Sequence, residues 1–197
     1  MKKGIAFFDF DGTVTSKDTL LAFIRYSKGT SGLLWGFLRN SLHLIAYKLN
    51  LASNQTAKEK VLQFFFKNMP VEEFNTLCQQ FSTRCLPGLI RKQAMEEIKK
   101  LQKEGTIIVV VSASPENWIS AWTDAMGVQL IASRLEEKEG RITGKILGRN
   151  CYGEEKVRRI LEKHQVQDYE IVYAYGDTRG DRPMLKLATK AFYKPFR

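Results

Sequence analysis

Residues 106–111, Thr-Ile-Ile-Val-Val-Val, form the clearest strand in this chain, and what surrounds them constrains the fold most. An amphipathic helix over 89–103 precedes the strand, carried by Ile90, Ala94, Ile98 and Leu101 and ended by Glu104-Gly105. A further helix is expected from Ser114-Pro115, with Ser at the cap and Pro in the first turn. Then come a strand at 128–132, a short strand or hairpin arm at 141–147, and a helix over 153–164. A strand at 170–175, a helix over 181–188 and a last strand at 190–193 complete the series. Strands alternating with helices imply right-handed crossovers and a parallel α/β sheet.

Residues 4–10, Gly-Ile-Ala-Phe-Phe-Asp-Phe, read as one more buried strand, but they stand far from the others in sequence. Between them lies a stretch of helical periodicity. Leu20, Leu21, Phe23 and Ile24 open one helix; Leu34, Phe37, Leu38, Leu42, Ile45 and Leu49 fit a second. Val61 to Phe66 suggest a third, and Phe74, Leu77, Cys78 and Phe81 a fourth. Pro87-Gly88 closes the module. The expected organisation is a Rossmann-like parallel-sheet core over 1–14 and 88–197, with a helical bundle over 15–87 inserted as a cap. A chain of 197 residues is long enough for one such core plus a modest insertion.

Three cysteines are too few and too sparse for a disulfide framework. The basic start Met1-Lys2-Lys3 imitates a signal peptide, but Asp9 and Asp11 end the apolar run too early. The expectation is a soluble, cytoplasmic protein. The net charge of +10 invites a polyanionic partner, yet the basic residues are dispersed rather than striped with aromatics. A non-enzymatic nucleic-acid-binding module is therefore the remotest reading, and no nucleic acid is expected.

Chemistry concentrates at the strand ends, where open parallel sheets bind ligands. Asp9 and Asp11 end the first strand. Two carboxylates so close disfavour joint ionisation unless a divalent cation joins them or one stays protonated as an acid. Asp11-Gly12 between apolar residues also reads as a hairpin turn. The second strand ends in Ser112-Ala113-Ser114, where a hydroxyl, free N–H groups and a helix start offer an anion site, although Ser114 also reads as a plain helix cap. The strand at 170–175 ends in Gly176-Asp177, with Asp181 four residues on. Three strand ends carrying carboxylates and hydroxyls suit a hard cation beside a phosphate.

In these residues the chain resembles the haloacid dehalogenase superfamily. Asp9-Phe10-Asp11-Gly12-Thr13 matches the first motif, Ser112 the second, Lys156 in Asn150–Lys156 the third, and Gly176-Asp177 with Asp181 the fourth. The motifs occur in order and span almost the whole chain. An insertion between the first two resembles the C1-capped branch that includes phosphoserine phosphatases. The resemblance implies a phosphatase in which Asp9 attacks phosphorus and Asp11 shuttles the proton. Ser112 and Lys156, with Gly12, Thr13 and Ala113, would surround the phosphoryl oxygens. Mg²⁺ would be held by Asp9, Asp11 through its carbonyl, and Asp177, with Asp181 a ligand or a partner of the ligands. Read alone, Lys156 is an ordinary solvated helix lysine.

The expected substrate is a small phosphorylated metabolite. Asp18 stands near the position where phosphoserine phosphatases carry a cap Glu, and Arg25 is one candidate for their substrate-binding Arg. Gly12 replaces their usual Ser. The segments 18–26 and 150–156 look closer to a related group that includes phosphatidylglycerophosphate phosphatases. That makes 33–51 relevant: either a buried bundle helix, or an interfacial helix placing the enzyme peripherally on an anionic membrane, with Trp35 and Tyr47 as anchors. The module carries nine basic against four acidic residues, which suits an anionic substrate or surface.

Overall fold

The computed structural model describes residues 2–39 and 53–197. Strand β1 (Lys2–Phe8) lies at the centre of a five-stranded sheet with β2 (Ile107–Pro115), β3 (Gln129–Ser133), β6 (Tyr169–Gly176) and β7 (Lys190–Tyr193). The order is β3-β2-β1-β6-β7. Every pairing is parallel, as the alternation of strands and helices predicts.

Both faces of β1 are covered, which is why its sequence lacks polar alternation. Ala6 and Phe8 point into one apolar cluster with Ile108, Val110 and Tyr175. Ile5 and Phe7 point into the other with Val109, Val111, Val172 and Ala174. Helices α4 (Lys92–Lys103) and α5 (Ser120–Met126) cover the first face through Ala94, Ile98, Leu101 and Trp122. Helices α6 (Glu154–Lys163) and α7 (Arg182–Lys186) cover the second through Ile160 and Met184.

Among the described residues, three α-helices stand between β1 and α4: α1 (Thr19–Arg39), α2 (Asn54–Phe66) and α3 (Val71–Arg84). Gly29, at φ +73°, breaks the helical geometry inside α1. Their apolar faces share the first cluster: Phe23 meets Phe66, Phe74 and Phe81, and stacks on Trp118 at 4.9 Å. Trp118, in the turn that follows β2, thereby joins the sheet to α1. The segments before α1 and before α4 run side by side: Thr15 bridges Ile90, and Arg91 N–H donates to the Val14 carbonyl at 2.8 Å.

The segment 141–147 is the hairpin arm of the two alternatives: β5 (Arg141–Ile146) pairs antiparallel with β4 (Leu135–Lys138), outside the main sheet. That hairpin bonds to the end of α2, with Asn68 N–H donating to Ile142 O at 2.8 Å and Ile142 N–H to Met69 O at 2.9 Å. The helix expected from Ser114-Pro115 does not start there. Pro115 still pairs with Ser133, a single 3₁₀ turn follows, and α5 begins at Ser120. The cause is a long-range bond: Ser114 directs its hydroxyl at Asp11 rather than at a helix N-terminus. Of the expected helix through Leu34 and Leu49, residues 34–39 continue α1, and 40–49 lie outside the described residues.

Candidate active site

Asp9 follows β1 directly, and its N–H donates to Tyr175 O at 2.9 Å, which pins it beside the end of β6. The chain then turns sharply over Phe10–Val14, so no hairpin forms at Asp11-Gly12. Gly12 is required there. Its φ is +86°, and a Cβ would stand 2.6 Å from Asp177 Oδ2. This tight turn lets the ends of β1 and β6 meet: Thr13 Oγ1 donates to Asp177 Oδ1 at 3.2 Å.

Lys156, on the first turn of α6, is 1% exposed. Its ammonium donates to Asp9 Oδ1 at 2.6 Å, Asp181 Oδ1 at 2.7 Å and Val111 O at 2.9 Å. Asp181 is fixed from the other side by Thr178, whose N–H and hydroxyl donate to Oδ2 at 2.9 and 2.8 Å. Burial alone would lower the Lys156 pKa, but the two carboxylates outweigh it and hold the amine above its ordinary value. For Asp181, burial pushes upward, and Lys156 with Thr178 overcomes it, leaving the carboxyl below its usual range. Asp9 goes the other way. Burial dominates, Asp181 and Asp11 add to it, and Lys156 compensates only in part, so Asp9 is pushed up to about 7.

Asp9, Asp177 and Asp181 are all buried, and one ligand atom from each lies within 4.8 Å of the others. Three buried carboxylates, two of them on one lysine, form an oxygen-rich set that fits a hard divalent cation. Arg197 also reaches the Asp177 carboxylate, so a cation there shares Asp177 with a guanidinium.

Asp11 faces away from this cluster. Its Oδ1 accepts from the N–H of Thr19 at 2.6 Å, and its Oδ2 from the hydroxyls of Ser114 at 2.6 Å and Ser112 at 3.4 Å. Thr19 in turn accepts from Trp118 Nε1 at 3.1 Å. The start of α1 is thus tied to the loop after β2 through Asp11. Ser112 is fully buried and accepts from Ser114 N–H at 3.0 Å. Gly12 N–H points to Thr15 Oγ1 at 3.3 Å.

Asp18 caps α1 by accepting from Leu21 N–H at 3.1 Å. Desolvation and the charge of Asp11 raise its pKa, against Lys58. Arg25 is exposed on α1 and makes no hydrogen bond or ion pair among the described residues. The structure therefore gathers Asp9, Asp11, Gly12, Thr13, Ser112, Lys156, Asp177 and Asp181 at the strand ends, leaves Asp18 at the edge, and leaves Arg25 outside. Sequence reasoning missed Lys58, on α2, whose Nζ donates to Ala113 O at 2.9 Å. Burial lowers its pKa, against Asp11 and Asp18. It also missed the bonds of Ser114 and Thr19 to Asp11. A Ser before Pro mimics a helix cap, and Lys58 sits in an ordinary charged run, so neither carried a signal.

Comparisons with known proteins point the same way. The profile of the family described as haloacid dehalogenase-like hydrolase matches residues 6–186. Protein CicA of Caulobacter vibrioides is 34% identical over 194 residues, covering 96% of this chain and 85% of CicA. A probable phosphatase of Mycobacterium tuberculosis is 28% identical over 190 residues, 92% of this chain and 65% of that protein. Among solved structures, a Bordetella pertussis Tohama I protein of unknown function superposes with a TM-score of 0.81 at 22% identity, covering 97% and 89% of the two chains. A substrate-bound phosphoserine phosphatase complex gives 0.72 at 19% identity, over 98% and 86%.

Proposed function

The chain belongs to the haloacid dehalogenase-like hydrolases, and from that we propose that it is a Mg²⁺-dependent phosphatase of a small phosphorylated metabolite. The observation that carries the reading is the buried contact of Lys156 with Asp9 and Asp181, beside Asp177. Such a cluster is costly to bury and suits a site that receives both a cation and a phosphate.

In this reading Lys156 holds Asp9 Oδ1, which leaves the other carboxylate oxygen to attack phosphorus. The P–O bond to the leaving group breaks as the Asp9–phosphorus bond forms, giving an aspartyl-phosphate. Asp11, held by Thr19 and Ser114, gives its proton to the departing oxygen. It then takes a proton from the water that hydrolyses the acyl phosphate and restores Asp9. Ser112 and Lys156, flanked by Thr13 and Ala113, steady the charge on the phosphoryl oxygens. Asp9, Asp177 and the Asp11 carbonyl would hold Mg²⁺, with Asp181 adjoining. The cation supplies charge neutralisation, letting Asp9 ionise beside its acidic neighbours. Residues 15–87 act as a cap over this face, working from the cytoplasm.

The test is hydrolysis of an aryl phosphate with Mg²⁺. Asp9→Asn should lower kcat by about 10³-fold or more. Full activity in that variant would overturn the mechanism.

A second reading places the enzyme on an anionic membrane surface. It is favoured by Leu34, Trp35 and Leu38, which are 65%, 62% and 67% exposed on the last turns of α1 next to Arg39. No helix among the described residues is long and apolar enough to cross a membrane, so contact would be peripheral. His43, Tyr47 and Lys48 of that segment lie outside the described residues. Co-sedimentation with anionic vesicles that Trp35→Ser weakens would support this reading; no protein in the vesicle pellet would overturn it.

A further inference from the structure

Three buried side chains stand in file before Asp11. Trp118 Nε1 donates to Thr19 Oγ1 at 3.1 Å, the Thr19 hydroxyl donates to Ser114 Oγ at 3.2 Å, and the Ser114 hydroxyl donates to Asp11 Oδ2 at 2.6 Å. Trp118 and Thr19 are wholly buried, and Ser114 is 2% exposed. The direction of the series is forced. An indole N–H can only donate, so the Thr19 hydroxyl must accept there and turn its own proton to Ser114. Ser114 accepts from Thr19 and turns its proton to Asp11. Its N–H is spent separately, on Ser112 Oγ at 3.0 Å. Buried hydrogen bonds in series polarise one another, so removing an early member weakens the last.

The series also crosses from the sheet to the inserted helices. Ser114 lies near the end of β2 and Trp118 in the turn after it, whereas Thr19 opens α1. Thr19 and Phe23, four residues apart, share one face of that helix. Both meet Trp118, the first through its hydrogen bond and the second through ring stacking at 4.9 Å. Thr19 moreover governs both oxygens of Asp11. Its N–H donates to Oδ1 at 2.6 Å, and its hydroxyl acts on Oδ2 through Ser114. The bonds on Asp11 are complete only when α1 sits on Trp118.

We infer that Ser114 and Thr19, oriented by Trp118, are positioning residues for the proton transfers of Asp11, so that the seating of α1 aims the acid–base carboxyl. The inference rests on the phosphatase reading. It adds to that reading the groups, away from the reacting atoms, that set the aim of Asp11.

The experiment compares kcat/KM for two esters with Mg²⁺ present. Phenyl phosphate has a leaving oxygen that needs a proton, whereas the leaving oxygen of 2,4-dinitrophenyl phosphate departs as a stable anion and gains little from an acid. Ser114→Ala should lower kcat/KM about thirtyfold for the phenyl ester and about threefold for the dinitrophenyl ester. Thr19→Val keeps the side chain's size and the N–H bond to Asp11, and should shift the ratio of the two esters about threefold in the same direction. It reads the same ratio where Ser114→Ala fails to fold. A merely structural role would lower both esters alike, so an unchanged ratio in the variants would overturn the inference and leave the phosphatase standing. A shift in Ser114→Ala with none in Thr19→Val would overturn the part given to Thr19 and Trp118. A parent that hydrolyses the dinitrophenyl ester alone has no acid to aim, which overturns the inference as well. Hydrolysis of neither ester by the parent would overturn both readings.

Discussion

Lys156 and Lys58 are both lysines on helices, and both reach a main-chain carbonyl in the segment that ends β2. Lys156 is 1% exposed and adds two carboxylates to that carbonyl, each within 2.7 Å. Among the described residues Lys58 makes one hydrogen bond, to Ala113 O, from α2. Its neighbouring charges, Asp11 and Asp18, act at longer range. The first lysine is locked into a charge network that cannot be taken apart without leaving buried ions unpaired. The second lies on a helix that other bonds also hold, from Gln55 to Gly148 O and from the N–H groups of Ile146 and Asn150 to Glu59 and Gln55. Removing Lys156 thus breaks a buried charge network, whereas removing Lys58 takes away one bond of several.

The sharpest way to break this comparison is Lys156→Met, which fills similar space and leaves Asp9 and Asp181 buried without their cation. Losing one partner of a buried pair costs about 3–5 kcal/mol. The unfolding free energy in urea should fall by that amount, and Mg²⁺ should recover part of it by replacing the lost charge. A stability equal to the parent's would mean that the cluster is open to water and the contrast with Lys58 is false.

A smaller effect is expected from Lys58→Met. Stability should change by less than about 1 kcal/mol, since one hydrogen bond near the surface is lost. KM for an aryl phosphate should rise about tenfold, because the cation beside Asp11 and Asp18 that would attract the anionic substrate is lost. The value of kcat should hold within about threefold. A fall in kcat with KM unchanged would instead put Lys58 among the groups that act on the reacting atoms.

The same contrast explains what could be read from the sequence. Asp9, Asp11, Ser112, Asp177 and Asp181 were legible because each lies within a few residues of a strand's C-terminal end, and a parallel sheet brings strand ends together. Lys156 was legible only through the family resemblance, because a helix lysine between Glu155 and Val157 looks like any other. Lys58 and Ser114 were not legible. Lys58 meets Ala113 across 55 positions, and Ser114 meets Asp11 across 103, and no local pattern encodes either contact. Asp18 was read as a selecting residue, and the structure gives it a plainer duty as the cap of α1 as well. The fold followed from periodicity almost throughout. It failed at Ser114-Pro115, where a long-range hydroxyl bond overrode a strong local helix-start signal.

The mildest test concerns the charge that the strand-end face leaves uncompensated. Asp9 sits at about 7, above its ordinary value of 3.8, because burial and two acidic neighbours outweigh Lys156. A carboxyl whose folded pKa is raised contributes stability that is full below about pH 4 and is lost as pH climbs through about 7. Asp181 has the opposite sign, and its contribution is already complete above its ordinary value. Between pH 6 and 8, then, Asp9 changes charge. The metal-free protein should lose a little stability over that interval, while Mg²⁺ binds more strongly as Asp9 ionises. The Tm gained on adding Mg²⁺ should therefore be larger at pH 8 than at pH 6, by about 2–4 °C for each ~1 kcal/mol of difference. Asp9→Asn cannot ionise, so its Mg²⁺-induced shift should be small and the same at both pH values. An equal shift at both pH values in the parent would show that the cation sits elsewhere, and that the strand-end face needs no help in holding its charge.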